Sequence, residues 1–237
     1  MQIIGHRGAR GEAPENTLGG FAYLHNLGIR AVEFDVRQLI DGQLVVMHDD
    51  NFIRTAGTDY PLYACGQDDL AQFNQAKYFA DWSQHEITPK LEQVLAVLAD
   101  FEHIEVEIKA VNTEAEAERL LNSLVPLLLP LKDQVTITSF DLKILQLIQQ
   151  QHPNFKRGLL VEIPLGQHAT HIALQYGCSR IGWKDSLVTE ELIQQAKQAG
   201  LAVSVWTVND VQRAKQLYTW QIDGLITDYP KTMLAEL

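Results

Sequence analysis

His6-Arg7-Gly8 closes the first apolar run of the chain, Glu33-Phe34-Asp35 interrupts the second, and His48-Asp49 ends a third. Two imidazoles can accept and donate protons near neutral pH, and carboxylates two apart on a strand point to the same side of it. Met1 to Ile4 can form only a short strand. Ending it on a histidine, an arginine and a glycine puts titratable and cationic groups where packing favours apolar ones, which marks a site on a strand end.

Glu33 and Asp35 lie in a run that otherwise reads as a buried strand. Two carboxylates facing inward there repel each other and lose their hydration unless a cation compensates them. A later strand repeats the pattern: in Ile104-Glu105-Val106-Glu107-Ile108-Lys109 the three charged residues share one face. Oxygen donors with no histidine or cysteine set nearby favour one hard divalent cation, Mg2+ or Ca2+, over zinc. Glu33, Asp35 and Glu107 are therefore expected to bind it. The plainer reading, an acid facing solvent or paired with lysine, suits any one of them better than it suits all three.

The elements that must position these groups alternate over nearly the whole length. Strands are expected near 2–5, 31–37, 103–109, 134–138, 157–161, 179–183, 202–206 and 223–227. Helices are expected near 16–27, 91–100, 114–128, 141–151, 167–176, 189–199, 210–219 and 230–236. Such pairs imply an α/β fold, a (β/α)8 TIM barrel, as a single domain over 1–237. Thr189 ahead of Glu190-Glu191 reads as a helix N-cap, and Gly200 as that helix's stop. Residues 41–89 break the alternation and read as a small inserted lobe after the second barrel strand, with Tyr63, Phe73, Tyr78, Phe79 and Trp82 packed over one end of the barrel. Asp41-Gly42 is a two-residue hairpin signal. If it sets the register, Ile40 opposes Gln43 and Asp35 opposes His48, which brings His48 beside the Asp35 carboxylate.

With 46% hydrophobic and 21% charged residues among 237, the chain can bury a full core. A formal net charge of -11 disfavours phosphate backbones and anionic lipid surfaces while leaving room for a small anion. No nucleic-acid partner is expected. No run approaches the ~20 apolar residues of a membrane span, so no integral membrane segment is expected either. Cys65 and Cys178 read as two small unpaired thiols, and a reduced, cytoplasmic setting follows most simply. The sequence sets no oligomeric state.

In order and spacing, these residues resemble the glycerophosphodiester phosphodiesterases of the phospholipase-C-like barrel superfamily. The resemblance runs through His6-Arg7-Gly8, Pro14-Glu15-Asn16-Thr17, Glu33-Phe34-Asp35-Val36, Asp41-Gly42, Met47-His48-Asp49, Pro89-Lys90-Leu91-Glu92, Glu107-Ile108-Lys109, Trp206-Thr207-Val208-Asn209 and Gly224 to Pro230. It implies hydrolysis of small-molecule glycerophosphodiesters to an alcohol and glycerol phosphate. Carried over by motif, His6 and His48 are the acid/base pair, Glu33, Asp35 and Glu107 hold the divalent ion, and Arg7 and Lys109 contact the phosphate. Two positions depart from the pattern: Lys90 stands where a small polar residue is usual, and Glu105 adds an acid beside the Glu-x-Lys motif, of which Glu107 is the matching residue nearer the strand's C-terminal end.

A phosphodiester is an anion that resists nucleophiles, so a divalent ion with Arg7 and Lys109 would offset its charge in the transition state. One imidazole would take the proton of the attacking oxygen, from water or a neighbouring glycerol hydroxyl, and the other would protonate the leaving alkoxide. The sequence leaves open which histidine does which. Trp206 and Phe140 read as an apolar wall for the glycerol, although large aromatics at strand ends are commonly core. Glu15 and Asn16 read as caps of the first helix that brace the site, and Asp49, Ser139 and Asp228 as hydrogen-bond scaffolding. Two rival functions stand beside this one. The first is lysophospholipase-D-like action on lysophospholipids; the second is a noncatalytic barrel that binds a phosphometabolite, which should have lost His6, His48 or Lys109.

Overall fold

The computed structural model describes all 237 residues. The chain opens with β1 (Gln2–His6), α1 (Leu18–Asn26) and β2 (Ala31–Gln38). Three short strands follow, β3 (Leu44–Val46), β4 (Asn51–Phe52) and β5 (Thr58–Pro61), with the one-turn helix α2 (Ile53–Ala56) between the last two. The alternation then runs through α3 (Leu91–Val97), β6 (His103–Ile108), α4 (Glu114–Leu128), β7 (Val135–Ser139), α5 (Leu142–Gln151) and β8 (Lys156–Val161). It ends with α6 (His168–Gln175), β9 (Arg180–Lys184), α7 (Glu190–Gln198), β10 (Ala202–Trp206), α8 (Val211–Thr219), β11 (Gly224–Thr227) and α9 (Pro230–Glu236).

β1, β2 and β6 to β11 pair in parallel, each with the next, and β1 pairs with both β2 and β11, so the sheet closes into an eight-stranded barrel. Strand alternation decides which residues face in. Val32, Phe34 and Val36 of β2 and Ile104, Val106 and Ile108 of β6 join Leu120, Leu121 and Leu124 of α4 in one buried cluster outside the barrel, which turns Glu33, Asp35, Glu105 and Glu107 inward. The apolar stripe of α4 recurs at helical spacing, and a reciprocal cap starts the helix: Thr113 Oγ1 accepts from Glu116 N while Glu116 Oε2 accepts from Thr113 N. Truncating Leu121 to alanine in that fully buried face would cost roughly 2–5 kcal/mol. Thr189 caps α7 as its sequence implies, and Asp210 caps α8.

The hairpin after β2 differs from its expected register. Val36 opposes Val46, Arg37 opposes Val45 and Gln38 opposes Leu44, one residue away from the pairing a two-residue turn would give. The loop holds three residues, Ile40 to Gly42. Gly42 takes the left-handed conformation (φ 89) and donates to Leu39 O (3.0 Å), while Leu39 N bonds Gln43 O (2.9 Å). Asp41 locks this form by accepting from Gln43 N (3.0 Å) and from Gln67 N (2.8 Å). Met47, not His48, therefore stands opposite Asp35, its N–H bonding Asp35 O at 3.0 Å.

Beyond the hairpin, Phe52 and Phe73 stack with centroids 3.9 Å apart in a buried cluster with Met47, Leu62 and Leu70. Phe79 and Trp82 meet edge to face, and Trp82 Nε1 donates to Glu86, which in turn accepts from Gly19 N at the start of α1. Tyr63 and Tyr78 do not pack inward; they are 71% and 65% exposed.

Candidate active site

The site lies at the C-terminal ends of β1, β2 and β6, and strand register assembles it. His6 is in register with Glu33, and Asp35 with Glu107. After His6 the chain turns sharply through Arg7 (φ 52) and Gly8 (φ 91), both left-handed, with Arg7 N bonding Glu33 O at 2.8 Å. Close approach also requires glycine at position 5, where a Cβ would fall 2.0 Å from Gly8 O. Asn16, also left-handed (φ 55), aims its side-chain amide at Asp35 Oδ2 (2.9 Å). The cap of α1 falls instead to Thr17, whose Oγ1 accepts from Gly20 N, so Glu15 and Asn16 brace the site without capping the helix.

Glu33, Asp35 and Glu107 are all buried, and one oxygen from each lies within 4.8 Å of the others. Lys109 bridges Asp35 and Glu107: its Nζ is 2.5 Å from Asp35 Oδ1 and also contacts Glu107 Oε1. Arg7 Nε stands 3.1 Å from Asp35 Oδ2, and its Nη1 donates to Glu15 Oε1 (2.9 Å). Asp35 Oδ1 is buried and, although ion-paired, is in no hydrogen bond of normal geometry. The three acids have different ionisation. Burial alone would raise Asp35, but Lys109, Arg7 and His48 outweigh it and hold this carboxyl well below the usual range. Burial, then the Asp35 charge, pushes Glu107 up to about 7, and burial with both neighbouring acids raises Glu33 strongly. Such a hard-oxygen cluster, short of positive charge, fits a divalent cation. Glu105 stands apart from it: its carboxylate meets Arg180 Nη1 (3.3 Å), His103 Nε2 (3.0 Å) and Ser204 Oγ (3.4 Å). Lys90 is likewise occupied elsewhere, bonding Gln67 of the lobe.

Each sequence-predicted histidine is held by an aspartate through Nδ1. His6 Nδ1 lies 2.6 Å from Asp228 Oδ1, and His48 Nδ1 lies 2.7 Å from Asp49 Oδ1. That leaves both Nε2 atoms for the cleft; His6 Nε2 is 3.9 Å from Glu33 Oε2. Burial lowers the His6 pKa more than Asp228 restores it, so the ring is neutral near pH 7. His48 reaches the cleft although its register slips, because the chain leaves the ladder after β3 and Arg37 Nε ties the His48 carbonyl oxygen (2.8 Å).

His6, Arg7, Glu33, His48, Glu107, Lys109 and Trp206 line one cleft of about 110 Å3, with Phe140, Leu160, Glu162 and Ile226 completing the wall. Trp206 packs edge to face on Phe140 (5.6 Å) and donates Nε1 to Gly182 O (3.2 Å). Sequence reasoning missed Glu162, one residue past β8, and Arg54. Arg54 Nη1 and Nη2 grip Glu15 at 2.6 and 2.7 Å, while Nε bonds Asp49 Oδ2 at 2.7 Å. Glu15 also accepts from Arg10 (3.1 Å), and against the upward push of burial Arg54 and Arg7 hold it down at about 2. A cation six positions after His48 was the available signal.

A family model described as the glycerophosphoryl diester phosphodiesterase family matches residues 6–232. The glycerophosphodiester phosphodiesterase of Caldanaerobacter subterraneus is 27% identical over 235 residues, covering 98% of this chain and 96% of its own. A phosphodiesterase from Oleispira antarctica, solved in complex with the product sn-glycerol-3-phosphate, superposes with a TM-score of 0.87 at 26% identity, covering 100% of this chain and 96% of that one. The glycerophosphodiester phosphodiesterase of Agrobacterium tumefaciens shares the fold with a TM-score of 0.82 at 24% identity, covering 99% of both chains.

Proposed function

Because the chain belongs to the glycerophosphoryl diester phosphodiesterase family, we propose that it hydrolyses glycerophosphodiesters to an alcohol and sn-glycerol 3-phosphate at a divalent-cation site made by Glu33, Asp35 and Glu107. The observation that carries this reading is the convergence of those three acids with two aspartate-anchored imidazoles on one cleft. A divalent ion, when bound there, supplies positive charge to the phosphoryl oxygens and to the oxygen that attacks or leaves.

The chain's own groups do the rest. Arg7 and Lys109 hold the phosphate and offset charge that builds in the transition state. His6, kept neutral by burial and fixed through Nδ1 by Asp228, accepts the proton of the attacking oxygen at Nε2. His48, on the more open side, donates a separate proton to the departing alkoxide, and exchange with solvent then resets both rings. Trp206 and Phe140 pack against the glycerol carbons and keep water from that side. A cleft of about 110 Å3 suits glycerol better than a glycerol bearing a long acyl chain, which favours the glycerophosphodiester over the lysophospholipid reading. Retention of His6, His48 and Lys109 disfavours a noncatalytic barrel. The proposed setting is the cytoplasm, supported by Cys65 and Cys178 being free thiols; no helix is long and apolar enough to cross a membrane.

The test incubates purified protein with glycerophosphoethanolamine, glycerophosphocholine or lysophosphatidylcholine, in Mg2+, Ca2+ or chelator, and measures glycerol 3-phosphate and free alcohol. Release from the two glycerophosphodiesters that chelator abolishes is expected. Product formation indifferent to chelator, or none from any substrate, would overturn the reading.

A further inference from the structure

Arg37 continues the series Glu33, Asp35 on β2, two residues further towards the barrel rim. Its Nε is engaged by the His48 carbonyl oxygen, yet its two terminal nitrogens make neither a hydrogen bond nor an ion pair. Arg37 lines a groove of about 610 Å3 that runs between the hairpin loop and the start of α4, and Lys109 lines both this groove and the catalytic cleft. Arg119, also in the lining, has no side-chain partner either. Of the groove's carboxylates, Asp41 is engaged through both oxygens and Asp50 and Glu116 through one each. Asp41 accepts from two backbone N–H groups, Glu116 accepts from Asn112 N (2.9 Å) and Thr113 N (3.3 Å), and Asp50 accepts from Asn51 Nδ2 (2.8 Å). Arg37 and Arg119 thus present free guanidinium donors in the groove, beside one open oxygen each of Asp50 and Glu116, within a chain whose net charge is -11.

The cleft has two unlike ends. Phe140, Leu160, Trp206 and Ile226 give one of them a largely apolar wall, with Glu162 beside it, while the other passes Lys109 and His48 towards Arg37. With phosphate held between Arg7 and Lys109, the second ester arm has its free path into the groove. We propose that this groove receives the leaving alcohol and selects alcohols that carry an anionic group, with Arg37 binding that group; the proposal rests on the phosphodiesterase reading above. A quaternary ammonium finds a poor host here, since Tyr63 is the one aromatic in the lining. A carboxylate finds the planar guanidinium fork that matches it.

Glycerophosphoserine and glycerophosphoethanolamine differ by one carboxylate on the leaving alcohol, so their ratio of kcat/KM isolates the effect. The serine diester should be favoured by about tenfold or more, the size of one charge-assisted hydrogen bond, and mainly through KM. Arg37→Gln should bring the ratio close to one. Because Arg37 also holds the His48 segment, the ratio and not the absolute rate is read. Ile40→Glu, at a groove-lining residue that is 73% exposed, should lower the same ratio by repulsion. A wild-type ratio at or below one, or a ratio that neither substitution moves, would overturn the proposal while leaving hydrolysis intact. Turnover of neither diester would refute the phosphodiesterase reading itself, and this proposal with it.

Discussion

Glu107→Gln should stabilise the metal-free protein at pH 8, a sign opposite to that of most substitutions at buried charged positions. Burial, and then the Asp35 charge, push Glu107 up to about 7 from an ordinary 4.5. The folded protein therefore keeps a proton that the unfolded chain releases, and stability falls as pH rises from about 4.5 through about 7, with the whole penalty present above that. The gap between those values, at about 1.4 kcal/mol per pH unit, amounts to about 3 kcal/mol at pH 8. Glutamine removes the charge but also weakens the contact with Lys109, which leaves a net gain of about 1–2 kcal/mol. At pH 5 Glu107 is already protonated, so little gain is expected. Urea unfolding at pH 5 and pH 8, in chelator and in Mg2+ or Ca2+, reads both effects. The parent protein should be stabilised by the ion and the variant should not. A variant less stable than its parent at pH 8, or one still stabilised by the ion, would refute the assignment of Glu107 to a charge-starved cation site.

His6→Ala and His48→Ala should each lower turnover by about 10²–10⁴-fold while the ion still raises Tm; near-normal kcat in either would remove that imidazole from the chemistry. Asp228→Asn should lower kcat by about 10–100-fold, the worth of a charge-assisted bond. Because Asp228 raises His6 against burial, its loss should also move the acidic limb of the kcat/KM profile to lower pH, and an unshifted limb would contradict the His6–Asp228 pairing. Arg54→Ala releases Glu15 and Asp49 together. Limited proteolysis should then cut more readily near residues 53–82 and kcat should fall, whereas an unchanged digestion pattern would argue against Arg54 as the clamp between lobe and site.

The barrel was legible because each layer of its sequence agrees. The α4 range is read directly from Thr113, Glu116 and the leucine stripe, and the inward acids from their alternation with Val32, Phe34, Val106 and Ile108. What escaped depended on contacts distant in sequence. Hairpin register turned on Asp41 bonding Gln67, 26 residues away, and on Gly42 adopting a left-handed conformation in a three-residue loop. Thr17 took the cap because Asn16 is turned towards Asp35 and Glu15 is drawn to Arg7, Arg10 and Arg54. The His6–Asp228 bond joins residues 222 apart, which only closure of β1 against β11 brings together. On sequence grounds Lys109 could equally have partnered Glu105; Arg180 and His103 decide otherwise by occupying that carboxylate.

The most direct test is a crystal soaked in Mn2+ and measured at its absorption edge. One strong anomalous peak is expected, with an oxygen of Glu33, of Asp35 and of Glu107 each within about 2.0–2.6 Å, Lys109 drawn away from Asp35, and the Nε2 atoms of His6 and His48 facing the cleft without binding the ion. A peak on Glu105, a peak ligated by either imidazole, or no peak between β2 and β6 at saturating Mn2+ would contradict that three-acid site.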